Sequence, residues 1–186
     1  MTRSVAVYGG SFDPPHAAHL LVATWVLRCC DVDELVFVPT AAHSLGKQAA
    51  ASFEDRCAMV ELLAAVVPGS RVSRVEDELP RPSRTLATLE ELGRRDPDAR
   101  FRLVVGADIA AETSRWHRWD AIVALAPPLW IGRAGYDAPV STAITLPDIS
   151  STAIRGRLRA GESTEGLVPT SVRAFIDARG LYRDAT

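Results

Sequence analysis

Short apolar runs alternate along this chain with longer segments of helical period, and that alternation restricts the fold more than any other feature. Ser4-Val5-Ala6-Val7-Tyr8, Leu35–Val38, Arg102–Val105 and Leu129–Ile131 read as strands, with weaker candidates at Arg71–Ser73 and Ala143–Leu146. Between them, helices are expected over His19–Arg28, Phe53–Val67 and Ser83–Arg94. In the last of these Leu86, Leu89 and Leu92 form an apolar stripe behind a Ser83 cap. Two further helices, Ser151–Ala160 and Thr170–Arg179, close the chain, with Gly161 and Gly180 where helix C-caps belong. Strands apolar at nearly every position must be covered on both sides, so the expected class is α/β, a mostly parallel sheet with helices on both faces. At 186 residues and 47% apolar, the chain suffices for one buried core. Residues 1–186 are read as a single domain with a C-terminal helical portion over 149–183.

Charge and cysteine usage exclude several classes. The net charge is -2 with both signs interspersed, which argues against a nucleic-acid partner; an anionic ligand must be small and met by local positive charge. No apolar run approaches the ~20 residues of a membrane span, and residues 1–8 lack the regions of a signal peptide, so no membrane association is expected. Cys29, Cys30 and Cys57 are odd in number and lack metal-type spacing, as reduced thiols of a cytoplasmic protein would be. Oligomeric state is open, a homo-oligomer included.

Parallel sheets bind ligands beyond the carboxyl ends of their strands, and both Gly9–Ser11 and Gly106–Asp108 follow strands there. The two loops are expected to share one cleft. Gly9 and Gly10 permit positive φ and close backbone approach to an anion. Asp13 suits a helix N-cap and Pro14 or Pro15 the first helical turn, which puts His16 and His19 on one face near a helix N-terminus that favours phosphate. A protonated histidine there can stabilise charge on a phosphoryl group. A tight turn with incidental histidines, or a zinc-binding pair, uses the same residues, although no Cys or Glu completes a local ligand set. Far along the chain, Ser150 or Ser151 can cap a helix whose first turn carries no acid, with Thr152 in that turn and Arg155 one turn on.

The segment Gly10-Ser11-Phe12-Asp13-Pro14-Pro15-His16-Ala17-Ala18-His19 resembles the G-x-F-D-P-x-H-x-G-H signature of the nucleotidylyltransferase superfamily, with Ala18 where glycine is usual. Ile149-Ser150-Ser151-Thr152-Ala153-Ile154-Arg155 resembles its I-S-S-T-x-I-R motif. Within the superfamily the chain is most similar to nicotinate-nucleotide adenylyltransferases. Pro39–His43 resembles the Pro-rich loop after the second strand, with Lys47 four residues past His43 where an adjoining base is usual. Ser52–Arg56 resembles the following helix start, and Pro82–Leu86 resembles P-S-Y-T-[VL], with Arg84 in place of tyrosine. Gly106-Ala107-Asp108, Trp116–Trp119, Arg133–Tyr136 and Gly180-Leu181-Tyr182 resemble the remaining motifs.

The resemblance implies a Rossmann-like nucleotidylyltransferase fold and transfer of AMP from ATP to nicotinate mononucleotide. It assigns catalysis to His16 and His19. ATP binding falls to Gly9, Gly10, Ser11, Phe12, His43, Lys47, Gly106, Asp108, Ser150, Ser151, Thr152 and Arg155. It gives Trp116 the stacking role on the pyridine ring, Arg133 the mononucleotide phosphate, and Thr85 the substrate carboxylate. Taken alone, Trp116 is equally a core aromatic, Arg133 a surface cation, and Asp108 a turn cap. Mg2+ would arrive with ATP, held mainly by the phosphates rather than by a protein cage. Two rival readings are a relative using nicotinamide mononucleotide or a phosphopantetheine acceptor, and a non-catalytic nucleotide-binding protein.

Overall fold

The computed structural model describes residues 3–41, 49–82, 84–136 and 140–183, with the main chain alone at 108, 114 and 115. Six strands form one sheet: β1 (Ser4–Gly10), β2 (Glu34–Pro39), β3 (Ser70–Val72), β4 (Arg100–Gly106), β5 (Pro128–Arg133) and β6 (Thr145–Leu146). Their order is β3-β2-β1-β4-β5-β6 and every pairing is parallel. The strand order reverses between β1 and β4, so a crevice opens at the carboxyl edge between them.

The period-2 geometry of a strand explains why these runs are continuously apolar. Val5 and Val7 of β1, with Val36, Val38, Leu103 and Val105, face one side. There they meet α3 (Val75–Glu78), α4 (Thr85–Arg95) and α5 (Trp119–Leu125), which contribute Val75, Leu86, Leu89, Leu92 and Ile122. Ala6, Leu35, Phe37 and Val104 face the other side. They pack on Val22, Ala23 and Val26 of α1 (Ala17–Cys29) and on Val60 and Leu63 of α2 (Phe53–Ala64). A third cluster joins Met59 of α2 to Ile154 of α6 (Ser151–Arg159), Val172 and Ile176 of α7 (Thr170–Arg179), and Tyr182.

All six expected strands are present, the weak candidates included. Gly180 is the C-cap of α7 at φ 61°, and Gly161 follows α6 at φ 69°. Other boundaries differ. α1 begins at Ala17 with His16 at the N-cap, two residues before the expected start, and α2 stops at Ala64 rather than Val67. Helix α4 begins at Thr85 behind Arg84 as N-cap, while the expected cap Ser83 lies outside the described residues. Three elements lack a sequence signal: α3, a 3-10 stretch over Ala107–Arg115, and α5, each short or without a clear apolar period.

Candidate active site

At the strand-order reversal lies a cleft of about 240 Å³. Val104, Ile131, Leu146 and Ile149 make its apolar wall. Opposite stand Tyr8 at the end of β1 and His16, Ala18 and His19 at the start of α1; Gly106, Arg133, Ser150 and Ser151 complete it. An apolar slot rimmed by a few polar groups suits a nucleoside with a charged tail.

The two histidines are packed as a pair. Their rings stack with centroids 3.8 Å apart, and the ring of Phe12 meets His19 edge-on at 4.9 Å. The His16 backbone N–H donates to Nδ1 of His19 at 3.1 Å. Because that nitrogen accepts, a neutral His19 carries its proton on Nε2, the nitrogen left to donate. The Nδ1 atom of His16 is buried with no partner among the described residues. Burial, and secondly the Arg133 guanidinium, push His16 down to about 4. Burial and the stacked His16 hold His19 well below its usual value. Withdrawal of water from both rings thus favours their neutral form, and a protonated histidine here would need a facing negative charge such as a phosphoryl group.

The loop that carries them is pinned along its length. Arg56, buried beneath it, donates through Nη1 to Ser11 O at 2.7 Å and through Nη2 to Thr40 O at 2.8 Å. Arg155 Nη1 donates to Asp13 O at 2.6 Å, the Ser151 hydroxyl to Pro14 O at 2.9 Å, and Ala17 N to Leu167 O at 2.8 Å. The Asp13 side chain is buried; it accepts from Ala50 N at 2.7 Å, Ala51 N at 3.1 Å and the Tyr182 hydroxyl at 2.8 Å.

A profile of the cytidylyltransferase-like family matches residues 7–157. A probable nicotinate-nucleotide adenylyltransferase of Anaeromyxobacter sp. strain K is 48% identical over 184 residues, 97% of each chain. The chain belongs to the nicotinate-nucleotide adenylyltransferase family. The corresponding protein of Myxococcus xanthus is 40% identical over 96% of this chain and 94% of its own. The fold is shared with the Plasmodium falciparum nicotinic acid mononucleotide adenylyltransferase solved with NaAD. That match has a TM-score of 0.80 at 16% identity and covers 97% of both chains.

Several family motifs do different work here from the work their residues suggest. Gly9 and Gly10 are not a positive-φ loop; they finish β1, pairing with Val38 and Pro39. A Cβ at Gly10 would sit 3.1 Å from the buried Phe12 ring, a tight contact that the ring would have to relieve by shifting. The left-handed residue is Phe12 itself (φ 51°), whose buried side chain packs edge-on against Tyr8 and Phe37. Asp13 is no helix cap, because its oxygens are taken by Ala50, Ala51 and Tyr182. Ser150 is the cap of α6, accepting from Ala153 N at 3.2 Å. Arg155 donates to Asp13 O and, at 3.3 Å, to Thr152 Oγ1.

His16, His19, Gly106, Arg133, Ser150 and Ser151 thus share one cleft, while Thr85 and Trp116 do not line it. Thr85 opens α4 on the opposite face. Trp116 is half-buried there, edge-on to Trp119 at 5.4 Å, which in turn lies 6.0 Å from Trp130. Arg133 stacks on Tyr136 at 4.9 Å and donates through Nε to Asp148 at 2.8 Å. His43, Lys47 and the Asp108 side chain lie outside the described residues. Sequence reasoning did not foresee Arg56 or Tyr182 as partners of the loop; the C-terminal G-L-Y resemblance was the available signal for Tyr182.

Proposed function

We propose that this protein transfers the adenylyl group of ATP to the 5′-phosphate of nicotinate mononucleotide, giving deamido-NAD and pyrophosphate. The observation that carries this reading is the stacked imidazole pair at the strand-order reversal, with Nε2–H of His19 held ready as a donor. An oxygen of the acceptor phosphate attacks the α-phosphorus of ATP in line. A new P–O bond forms there as the bond to the bridging oxygen of pyrophosphate breaks. The attacking phosphate is already ionised at neutral pH, so no base is needed; alignment and charge stabilisation do the work. His16 and His19 are assigned to the α-phosphoryl oxygens, Arg133 to the acceptor phosphate beside them, and Trp116 and Thr85 to the pyridine ring and its carboxylate across the sheet edge. Glycine N–H groups at 9 and 10 and the residues His43, Lys47 and Asp108 are assigned to ATP by family resemblance.

Among the described residues no three His, Cys, Asp or Glu side chains converge on one point. No carboxylate is among the described residues that line the cleft, so it offers no anionic oxygen ligand to a hard cation such as Mg2+. Mg2+ would be held mainly by the phosphates of ATP rather than by this chain, and would supply neutralisation of their charge. No described helix is long and apolar enough to cross a membrane.

Pyrophosphate release from ATP, measured with nicotinate mononucleotide, nicotinamide mononucleotide and pantetheine phosphate in parallel, tests the assignment. The nicotinate compound is expected to give the highest kcat/KM. Preference for either other acceptor would move the protein to a different transferase, and ATP binding without release from any would make it a nucleotide-binding protein.

A further inference from the structure

The last described turn of the chain reaches the first motif. Gly180 (φ 61°) and Tyr182 (φ 63°) are both left-handed, and together they curl the chain so that the Tyr182 ring enters the cluster of Met59, Ile154, Val172 and Ile176. A left-handed conformation is uncommon for a bulky aromatic residue and needs support from its surroundings. The support is visible: the ring is 8% exposed, and its hydroxyl donates to Asp13 Oδ1 at 2.8 Å. Burial and the neighbouring Asp13 push that phenol far above its ordinary range.

Asp13 gathers the segments around the cleft. Its Oδ2 accepts from Ala50 N and lies 3.8 Å from Arg155 Nη1; its Oδ1 accepts from Ala51 N as well as from Tyr182. Arg155 belongs to the helix whose first residues, Ser150 and Ser151, form one wall, and His16, three residues after Asp13, begins the other. None of Tyr182, Asp13 or Arg155 lines the cleft.

We propose that Tyr182 is a positioning residue for adenylyl transfer: its hydroxyl fixes Asp13, and through Asp13 the spacing between the histidine pair and the start of α6. This rests on the reaction proposed above. Small displacements of reacting groups cost about 10²-fold in rate, whereas binding spread over a large nucleotide tolerates them. Tyr182→Phe should therefore lower kcat some 10- to 100-fold, measured well below its melting temperature, with KM for both substrates changed less than about threefold. The 15N ring signals of His16 and His19 should shift in the unliganded variant, a readout independent of turnover.

Asp13→Asn supplies a second arm. If Tyr182 acts through Asp13, the double variant should turn over no more slowly than Asp13→Asn alone, within about twofold. Wild-type kcat with unmoved histidine signals in Tyr182→Phe would overturn the proposal, as would multiplicative losses in the double variant. Loss of cooperative melting in Tyr182→Phe would make the hydroxyl a determinant of the whole fold and would overturn it equally. A wild-type enzyme that releases no pyrophosphate would instead fail the functional reading, leaving the histidine signals to judge the positioning.

Discussion

Two imidazoles stacked at 3.8 Å, one accepting through Nδ1 so that its Nε2 is the nitrogen left to donate, form an arrangement suited to receiving negative charge. His19→Ala should lower kcat by roughly 100- to 1,000-fold with a smaller change in KM for ATP, the pattern of a donor that acts on the transition state. Steady-state kinetics check this, and near wild-type turnover would remove His19 from the mechanism. His16 has a measurable consequence for stability. Its folded pKa is about 4 against an ordinary 6.5, so between those values the unfolded chain binds more protons than the folded one. Folding is nearly unaffected by this group above pH 6.5 and loses stability as pH falls toward 4, by about 2–3 kcal/mol at pH 4.5. Urea melts of the wild type and His16→Gln at pH 7 and pH 4.5 should therefore show the smaller acid loss in the variant. Equal losses would mean that His16 is not held neutral by the fold.

At the scale of elements, glycine positions separate two physical roles that composition does not distinguish. A Cβ on Gly132 of β5 would lie 2.8 Å from Ile144 O, Thr142 Oγ1 and Thr145 Oγ1, so Gly132→Ala must open the β5–β6 edge that lines the cleft. A destabilisation of about 1–3 kcal/mol is expected, with weaker ATP binding. On α6 a Cβ at Gly156 meets nothing within 4 Å, and Gly156→Ala should stabilise by up to about 1 kcal/mol. Chemical denaturation of the two variants reads the opposite signs. The same contrast explains what was legible in the sequence. Strands were, because burial on both faces writes itself as a continuous apolar run. Asp13 and Arg155 were visible as motif residues but not in their roles, since those roles depend on partners far along the chain: Asp13 meets Ala50, Ala51 and Tyr182, and Arg155 reaches back to Asp13. Local capping chemistry made Asp13 look like an N-cap, and nothing local competes with that reading. The 3-10 stretch after β4 is too short for its periodicity to separate it from an ordinary loop.

Across the whole molecule, α2 decides how the C-terminal helices relate to the sheet. Val60 and Leu63 face the sheet, while Met59 faces Ile154, Val172 and Ile176, and Asp55 on the same helix pairs with Arg179 at 2.9 Å. A helix shared between two apolar clusters transmits any loosening of one to the other, so we expect residues 1–186 to unfold as one unit. The chain provides its own reporters. Trp25, Trp116, Trp119 and Trp130 all pack on the sheet clusters and none on the C-terminal one, so their fluorescence reads the sheet while far-UV circular dichroism reads every helix. Ile176→Ala removes a side chain that is 1% exposed in the C-terminal cluster and should cost about 2–5 kcal/mol. If the molecule is one unit, tryptophan fluorescence, circular dichroism and pyrophosphate release should all shift to lower urea together, although the substitution touches neither the sheet nor the cleft. Activity must follow because Ser151, Arg155 and Tyr182, all from the C-terminal portion, hold the loop that carries the histidines. A tryptophan transition left in place while helicity and activity move would divide the chain into two bodies, with the catalytic loop tied across their junction.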